Sequence, residues 1–268
     1  ALPTHPELLD WLAVDLRENG WDVKALIRKI VTSATYQQSA LIGKKQLERD
    51  PENRYLTRAP RYRVKAEFVR DVVLASSGLL NSEIGGPSVK PYQPPGLWEG
   101  ATSGRGILSI YKQDHGSDLY RRGLYSFIKR TVPPPFVTIY DGSNRDQCEV
   151  GRPITNTPLQ ALVMMNDPTV LEASRVLAGN LLKESKDLDF MIQKAFRMIV
   201  CRHPSSKEME ILKNYYGKSI QSLADADAEK LLRQGEYPQA KGLEVKPWAA
   251  LMQVIATIYN MEETLSKT

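Results

Sequence analysis

Between Asp141 and Asn156 the run DGSNRDQCEVGRPITN gathers more side chains with distinct chemistry than any other part of the chain. Arg145 and Arg152 supply planar, bidentate donors suited to a carboxylate or a phosphate. Asn144 and Asn156 add amide groups that both donate and accept. The run ends at a helix start, where unpaired backbone N–H groups and the helix dipole attract anions. Asp141, Asp146 and Glu149 can neutralise the same arginines, so the run predicts either an anion-binding loop or an internal ion-pair lattice, and both readings stay open. Cys148 is the candidate nucleophile, with a packed thiol or a disulfide to Cys201 as the alternatives. Asp141 is a candidate acid or base. His115, in Asp114-His115-Gly116, is another, with Asp118 as its expected partner; a surface hydrogen-bonding role is the plainer reading. Trp98, with Tyr92 and Tyr111, offers an aromatic face for stacking on a sugar ring, or an anchor that pins its segment to the protein's own surface.

Several chemistries have no motif here. There is no Gly-x-Ser-x-Gly elbow, phosphate-binding loop or dinucleotide fingerprint. Two cysteines beside His5, His115 and His203 show no zinc-type spacing, and no Cys-x-x-Cys-His occurs, so neither a metal nor a covalent haem c is expected in this chain. The formal charge of +5 is concentrated locally: Arg54, Arg58, Arg61, Arg63, Lys65 and Arg70 stand against Glu67 alone. That cluster suits a solvated helix face and lacks a nucleic-acid reader motif, so no nucleic acid is expected as a partner. The longest apolar tract, Trp248 to Tyr259, is broken by Gln253 and Thr257 and predicts no membrane span. No basic n-region precedes an apolar h-region, so no signal peptide is read in the sequence, which begins Ala-Leu-Pro and is expected to be a processed or excised piece.

The elements that must hold these residues read as helices. With 42% hydrophobic and 25% charged residues in 268, the chain can bury one large core or two modest ones. Leu8, Leu9, Trp11, Leu12 and Leu16 mark a first helix closed by Asn19-Gly20. Val23 to Val31 marks a second, expected to run to about Gln38, the pair forming a helical hairpin. A helix is expected from near Arg63 to Ser76-Ser77-Gly78. Prolines and glycines between 81 and 116 forbid long regular structure. Leu119 to Thr131 reads as a helix, Phe136 to Tyr140 as a short extended segment. Thr157-Pro158-Leu159-Gln160 is a helix start with a hydroxyl cap, a proline at the first position and a glutamine able to reach back; Leu159, Leu162, Val163 and Met165 are expected to face the core. Asp167 caps a further helix, and helices over 187–201, after Ser205 and from Pro247 complete the scaffold. The fold class expected is mainly α, an irregular multi-helix bundle whose Pro/Gly-rich loops at 81–116 and 131–156 converge on one face. It reads as one helical domain over 1–268, with a subdivision at 156/157 as the alternative.

HPELLDWLA, DPENRYLTR, RYRVKAEFVRD, SGLL with GGPSV, YRRGLYSFIKRTVPPP and NRDQCEVGRPITNTPLQALVMMNDP, in that order, resemble the planctomycete PSD-one family, a domain of unknown function. Departures are Tyr140-Asp141 for the family's Phe-Asp, Gly151-Arg152 for its Arg-Arg, and the loosely matching ending IYNMEETL. The resemblance implies the C-terminal domain of a longer, exported, periplasmic polypeptide in an electron-transfer setting, with haem c in a linked segment or partner chain of a larger cytochrome-containing protein. It implies no reaction. Three functions therefore remain: a module that binds a ligand or docks a redox partner, a hydrolase or oxidoreductase component acting on polysaccharide or sugar derivatives, and an assembly scaffold.

Overall fold

The structure, a computed structural model, describes residues 2–106, 108–143, 145, 148 and 150–267. Asn144, Asp146 and Glu149, named above as ligand donor and lattice partners, lie outside the described residues. The chain is mainly helical, 54% of it, with one two-stranded sheet among the described residues. It divides into two compact units, Ala1–Arg63 with Ser266–Thr268, and Val64–Leu265.

In the first unit, α1 (Pro6–Glu18) and α2 (Val23–Val31) form the expected hairpin. Gly20 takes the left-handed conformation at the joint (φ +69°), where a side chain would be strained. Asp22 then caps α2 by accepting the Ala25 N–H at 2.9 Å. The second helix stops at Val31, well short of Gln38, because the Thr32 and Ser33 hydroxyls turn back onto the carbonyls of Arg28 and Ile30. After α3 (Lys44–Arg49), Asp50 fixes the following turn by accepting the N–H groups of Arg54 and Tyr55 at 2.8 and 3.0 Å. Strand β1 (Tyr62–Arg63) pairs antiparallel with β2 (Ser266–Lys267).

The second unit is built on two long helices, α8 (Pro168–Glu184) and α12 (Val245–Tyr259), which pack along each other. Ala173, Leu177, Ala178 and Leu181 on α8 meet Leu251, Val254, Ile255 and Ile258 on α12, all fully buried. Gly179 permits the close approach, since a Cβ there would lie 3.2 Å from the Trp248 ring. Around this pair stand α4 (Ala66–Ser77), α7 (Pro158–Asn166), α9 (Leu188–Val200), α10 (Ser206–Ser222), α11 (Asp225–Leu232) and the short α13 (Glu262–Leu265). Two more short helices, α5 (Leu97–Thr102) and α6 (Pro135–Ile139), interrupt the Pro/Gly-rich segments.

Three expectations are corrected. Residues 119–131 are not a helix; they hold 3-10 turns at Gly116–Tyr120 and Gly123–Tyr125, because the backbone bonds across to Val89 instead (Val89 N–H to Tyr125 O and Phe127 N–H to Val89 O, both 2.8 Å). Tertiary pairing overrides helical spacing there. Phe136 to Tyr140 is helical rather than extended, started by Pro135 at the first position and closed where Gly142 N–H reaches Val137 O at 2.7 Å. On α7 the core receives Met164 and Gln160, while Leu159, Leu162 and Met165 stay more than half exposed. Helix α11 had no strong apolar period to announce it.

One electrostatic clamp gives the second unit a measurable acid sensitivity. Arg202 donates to Glu208 at 2.6 Å and to Glu263 at 2.5 Å, tying the start of α10 to α13. Arg202's hydrogen bond, against a smaller opposing effect of burial, holds the Glu208 carboxyl down from 4.5 to about 2. A lowered carboxyl contributes stability that is present above its unfolded value and lost as pH falls through the folded one. Since Arg202 and Glu208 remain partly solvent-exposed, solvent screening leaves an expected contribution of about 1 kcal/mol. Urea unfolding of Glu208→Gln should show that deficit at neutral pH, and the gap to the parent should close as pH falls from 4.5 toward 2.

Candidate functional site

In the second unit a cavity of about 370 Å³ opens between α4, α6, the α7–α8 junction and the segments carrying Pro91–Pro94 and Gly123–Ser126. Its walls are mostly apolar: Pro91, Pro94, Pro134, Pro135, Phe136, Val137, Ile139, Leu162 and Val163. Rigid prolines hold such a wall open without side-chain entropy to lose. The polar groups are few and converge from three elements: Arg70 and Glu67 from α4, Asn166, Asp167 and Thr169 from the α7–α8 junction, and Tyr92 from the proline segment.

Arg70 is the chemical centre. It is 8% exposed and donates to Thr169 Oγ1 at 3.2 Å, to the Leu119 carbonyl, and at longer range to the Arg121 carbonyl. No carboxylate among the described residues forms an ion pair with it; its charge is answered through space by Asp167 and Asp71. Burial lowers its proton affinity and those two acids oppose the effect. Asp167 is the N-cap of α8, accepting the N–H of Thr169 at 2.8 Å and of Val170 at 3.4 Å. Burial pushes its carboxyl above the ordinary range, with Arg70 and those N–H groups pulling the other way. Arg70 thus stands at the wall of an apolar hollow as a buried cation with no ion pair among the described residues.

The predicted loop reaches this cavity through Arg152. Its guanidinium donates to both Glu67 oxygens at 3.0 and 2.8 Å, placing the loop at the cavity rim. Burial raises the Glu67 carboxyl, but Arg152's bonds and charge, with Arg145's charge, outweigh it and hold it below the ordinary range. Arg145 is itself exposed, in the left-handed conformation (φ +63°). Arg152 is thus ion-paired, but to Glu67 of α4 and not to Asp141 of its own loop; Asp146 and Glu149, the other expected partners, lie outside the described residues. Asp141, also left-handed (φ +58°), spends its carboxylate on Thr155, accepting its N–H at 2.7 Å and its hydroxyl at 2.9 Å. Gln160 completes the latch by donating to Ile139 O and Thr155 Oγ1, and its own side chain accepts the Thr157 N–H at 3.4 Å. The helix start read from Thr157-Pro158-Leu159-Gln160 therefore doubles as the anchor of the loop. Asn156 is exposed beside it.

Other candidates lie elsewhere or act differently. Cys148 and Cys201 are both exposed free thiols, so the disulfide alternative is corrected. His115 Nδ1 lies 2.8 Å from Glu236 Oε1, which Gln113 also contacts, so its carboxylate partner is Glu236 and not Asp118. Trp98 is 1% exposed, edge-on to Tyr111 at 5.0 Å with Lys129 over its ring, and stacks on its own protein rather than presenting a face to a sugar. Among the described residues no group of three or more His, Cys, Asp or Glu is arranged to hold a metal, and no helix is long and apolar enough to cross a membrane.

Arg70, expected on a solvated helix face with the other basic residues of its stretch, is buried instead, and it meets Asp167, which caps α8 as expected, and Thr169, which no motif marked. Arg70 did carry a signal: it stands four residues after Ala66 and three before Val73, a charge on the apolar stripe of its helix.

Comparison with protein families matches residues 1–216 to PSD1, described as a protein of unknown function (DUF1553). Neither the curated proteins nor the solved structures contain a match.

Proposed function

The chain belongs to the PSD1 family of unknown function (DUF1553), and from that premise we propose that it is a ligand-binding module whose cavity takes a small molecule with an apolar body and one anionic group. The observation that carries this reading is Arg70, a buried charge without an ion pair among the described residues, at the wall of a proline-lined hollow. The apolar body lies against Phe136, Leu162 and Val163, and a carboxylate, sulfonate or phosphate addresses Arg70. In the setting the family resemblance implies, the module is the C-terminal part of an exported, periplasmic polypeptide, and ligand binding serves a haem c-bearing segment or partner chain. A reaction on polysaccharide has less support, because Asp141 is committed to Thr155 and Trp98 is buried.

The test uses anilinonaphthalene sulfonate, which has an apolar body and one anion, with naphthoate as competitor. Binding should show as blue-shifted emission that naphthoate displaces. Arg70→Met should weaken it by about tenfold to a hundredfold, the worth of a charge-assisted hydrogen bond in a dry site. Leu162→Trp, at an exposed position that lines the cavity, should block it by volume with the fold intact. Dye binding indifferent to both substitutions overturns the proposal.

A further inference from the structure

The α1–α2 hairpin of the first unit carries two amphipathic helices whose apolar faces stay uncovered. Among the described residues neither helix buries a side chain, and Leu12, Leu16 and Leu26 reach only partial burial. Helices of 13 and 9 residues are too short to persist in water on propensity alone, so most of their stability must come from packing an apolar face. Helical spacing puts Leu9 and Leu16 on one side of α1 and Val23, Ile27 and Ile30 on one side of α2. That side of the hairpin lies opposite the one where Lys29 pairs with Asp15 and sits over the Trp11 ring. Leu9, Val23 and Ile27 stay more than half exposed there, and Ile30 is 39% exposed. Together these side chains present on the order of 500 Å² of apolar surface, and patches beyond a few hundred Å² mark interaction sites. Two such faces laid together bury about 1,000 Å² before any flanking polar surface is counted, the threshold of a specific interface.

Charge identifies the occupant. Helix α1 carries Glu7, Asp10, Asp15 and Glu18 against Arg17 alone, and α2 carries Lys24, Arg28 and Lys29 with no acid. Asp15 and Lys29 answer each other inside the hairpin, and Arg17 stands beside Glu18. Glu7 and Asp10 on one helix, with Lys24 and Arg28 on the other, form no ion pair among the described residues. A surface with one acidic and one basic helix complements itself. When a two-fold axis runs along the helices, α1 of each copy lies antiparallel beside α2 of the other, acid against base, and a four-helix bundle closes. An axis across the helices would set each helix against its own copy, with like charges opposed.

We propose that this face is an interface with a second copy of the chain, a two-fold dimer in which the two hairpins form a four-helix bundle around Leu9, Leu16, Val23, Ile27 and Ile30.

Analytical ultracentrifugation of the 268-residue chain at micromolar concentration should find a dimer. Ile27→Glu with Ile30→Glu should raise its dissociation constant by roughly a hundredfold or more, since the symmetry puts two charges from each copy into one apolar core. Lys24→Glu with Arg28→Glu turns α2 acidic, and Glu7→Lys with Asp10→Lys turns α1 basic. Each of these two variants alone should be monomeric at that concentration, and an equimolar mixture should dimerise, because acidic helices then meet basic ones. Rescue on mixing also shows that the variants are folded. A parent chain that stays monomeric, a dimer indifferent to the isoleucine changes, or charge variants that do not rescue each other overturns the interface. Co-sedimentation of a monomeric parent with vesicles of phosphatidylcholine and phosphatidylglycerol would assign the face to a lipid surface, and overturns it equally.

Discussion

Gly123→Ala should destabilise the second unit by about 3 kcal/mol and weaken dye binding in the Arg70 cavity at the same time. A Cβ on residue 123 would stand 2.5 Å from Glu67 O, 2.9 Å from Glu67 Cα and 3.0 Å from Glu67 C. These are backbone atoms in the first turn of α4, which no rotamer change can move aside. Overpacking of that kind costs about 1–3 kcal/mol by itself. Relief by retreat of the 123 segment would stretch the Gly123 N–H bond to Asp71 Oδ1, now 2.6 Å, and a bond to a charged acceptor is worth about 1.5–3 kcal/mol. Relief by movement of α4 would displace Glu67 and with it the Arg152 pair at the cavity rim. Either route alters the cavity, because Gly123 and Glu67 both line it. Calorimetry should find the melting temperature lower by about 6–12 °C, taking about 2–4 °C per kcal/mol for a unit of this size. Gly151→Ala is the control, with nothing within 4 Å of its added Cβ and no left-handed backbone to strain. A Gly123→Ala variant as stable as that control would mean the two segments are not in contact.

That glycine also shows where sequence reasoning stops. Residues 119–131 carry a credible helical period, and what denies them a helix is a backbone contact with residue 67 and strand-like bonds with Val89, both far away in sequence. By contrast α8, α9, α10 and α12 were legible because their signals are local: Asp167 and Ser205 as caps, prolines at first positions, and apolar residues that recur at helical spacing. The Arg145–Arg152 loop stands out in the sequence as a place of concentrated chemistry by residue type alone. Its role was not legible. Arg152's partner, Glu67, is 85 positions away, and Asp141's commitment to Thr155 depends on a left-handed turn that no single residue type announces. Arg70 was the hardest to see, although a charge on an apolar stripe is a physical anomaly and the anomaly marks the cavity.

Asp167 is expected to show how that buried arginine is tolerated. Asp167→Ala removes the cap of α8, which by itself costs about 1 kcal/mol, and it also withdraws the acid that most strongly offsets the burial of Arg70. Leaving a buried charge uncompensated costs about 3–5 kcal/mol when the partner is in contact; here the coupling acts through space and is opposed by relief of Asp167's own burial, which outweighs the pull of Arg70, so the loss expected is close to that of the cap. Arg70→Met in the same chain should reduce it, since a thioether of similar length removes the charge that Asp167 answers. A double-mutant cycle measured by urea unfolding should therefore give a coupling of about 1–2 kcal/mol between the two positions. Asp167→Asn sharpens the reading, because asparagine caps helices as well as aspartate does and leaves only the charge to account for. The pH dependence carries the opposite sign to that of Glu208. Burial raises the Asp167 carboxyl, so its contribution is fully present below the unfolded value and is lost as pH rises through the folded one. Asp167→Asn should flatten that part of the profile, above the ordinary carboxylate range. Strict additivity of Arg70→Met and Asp167→Asn would show that the two charges do not sense each other, and that something other than Asp167 compensates Arg70.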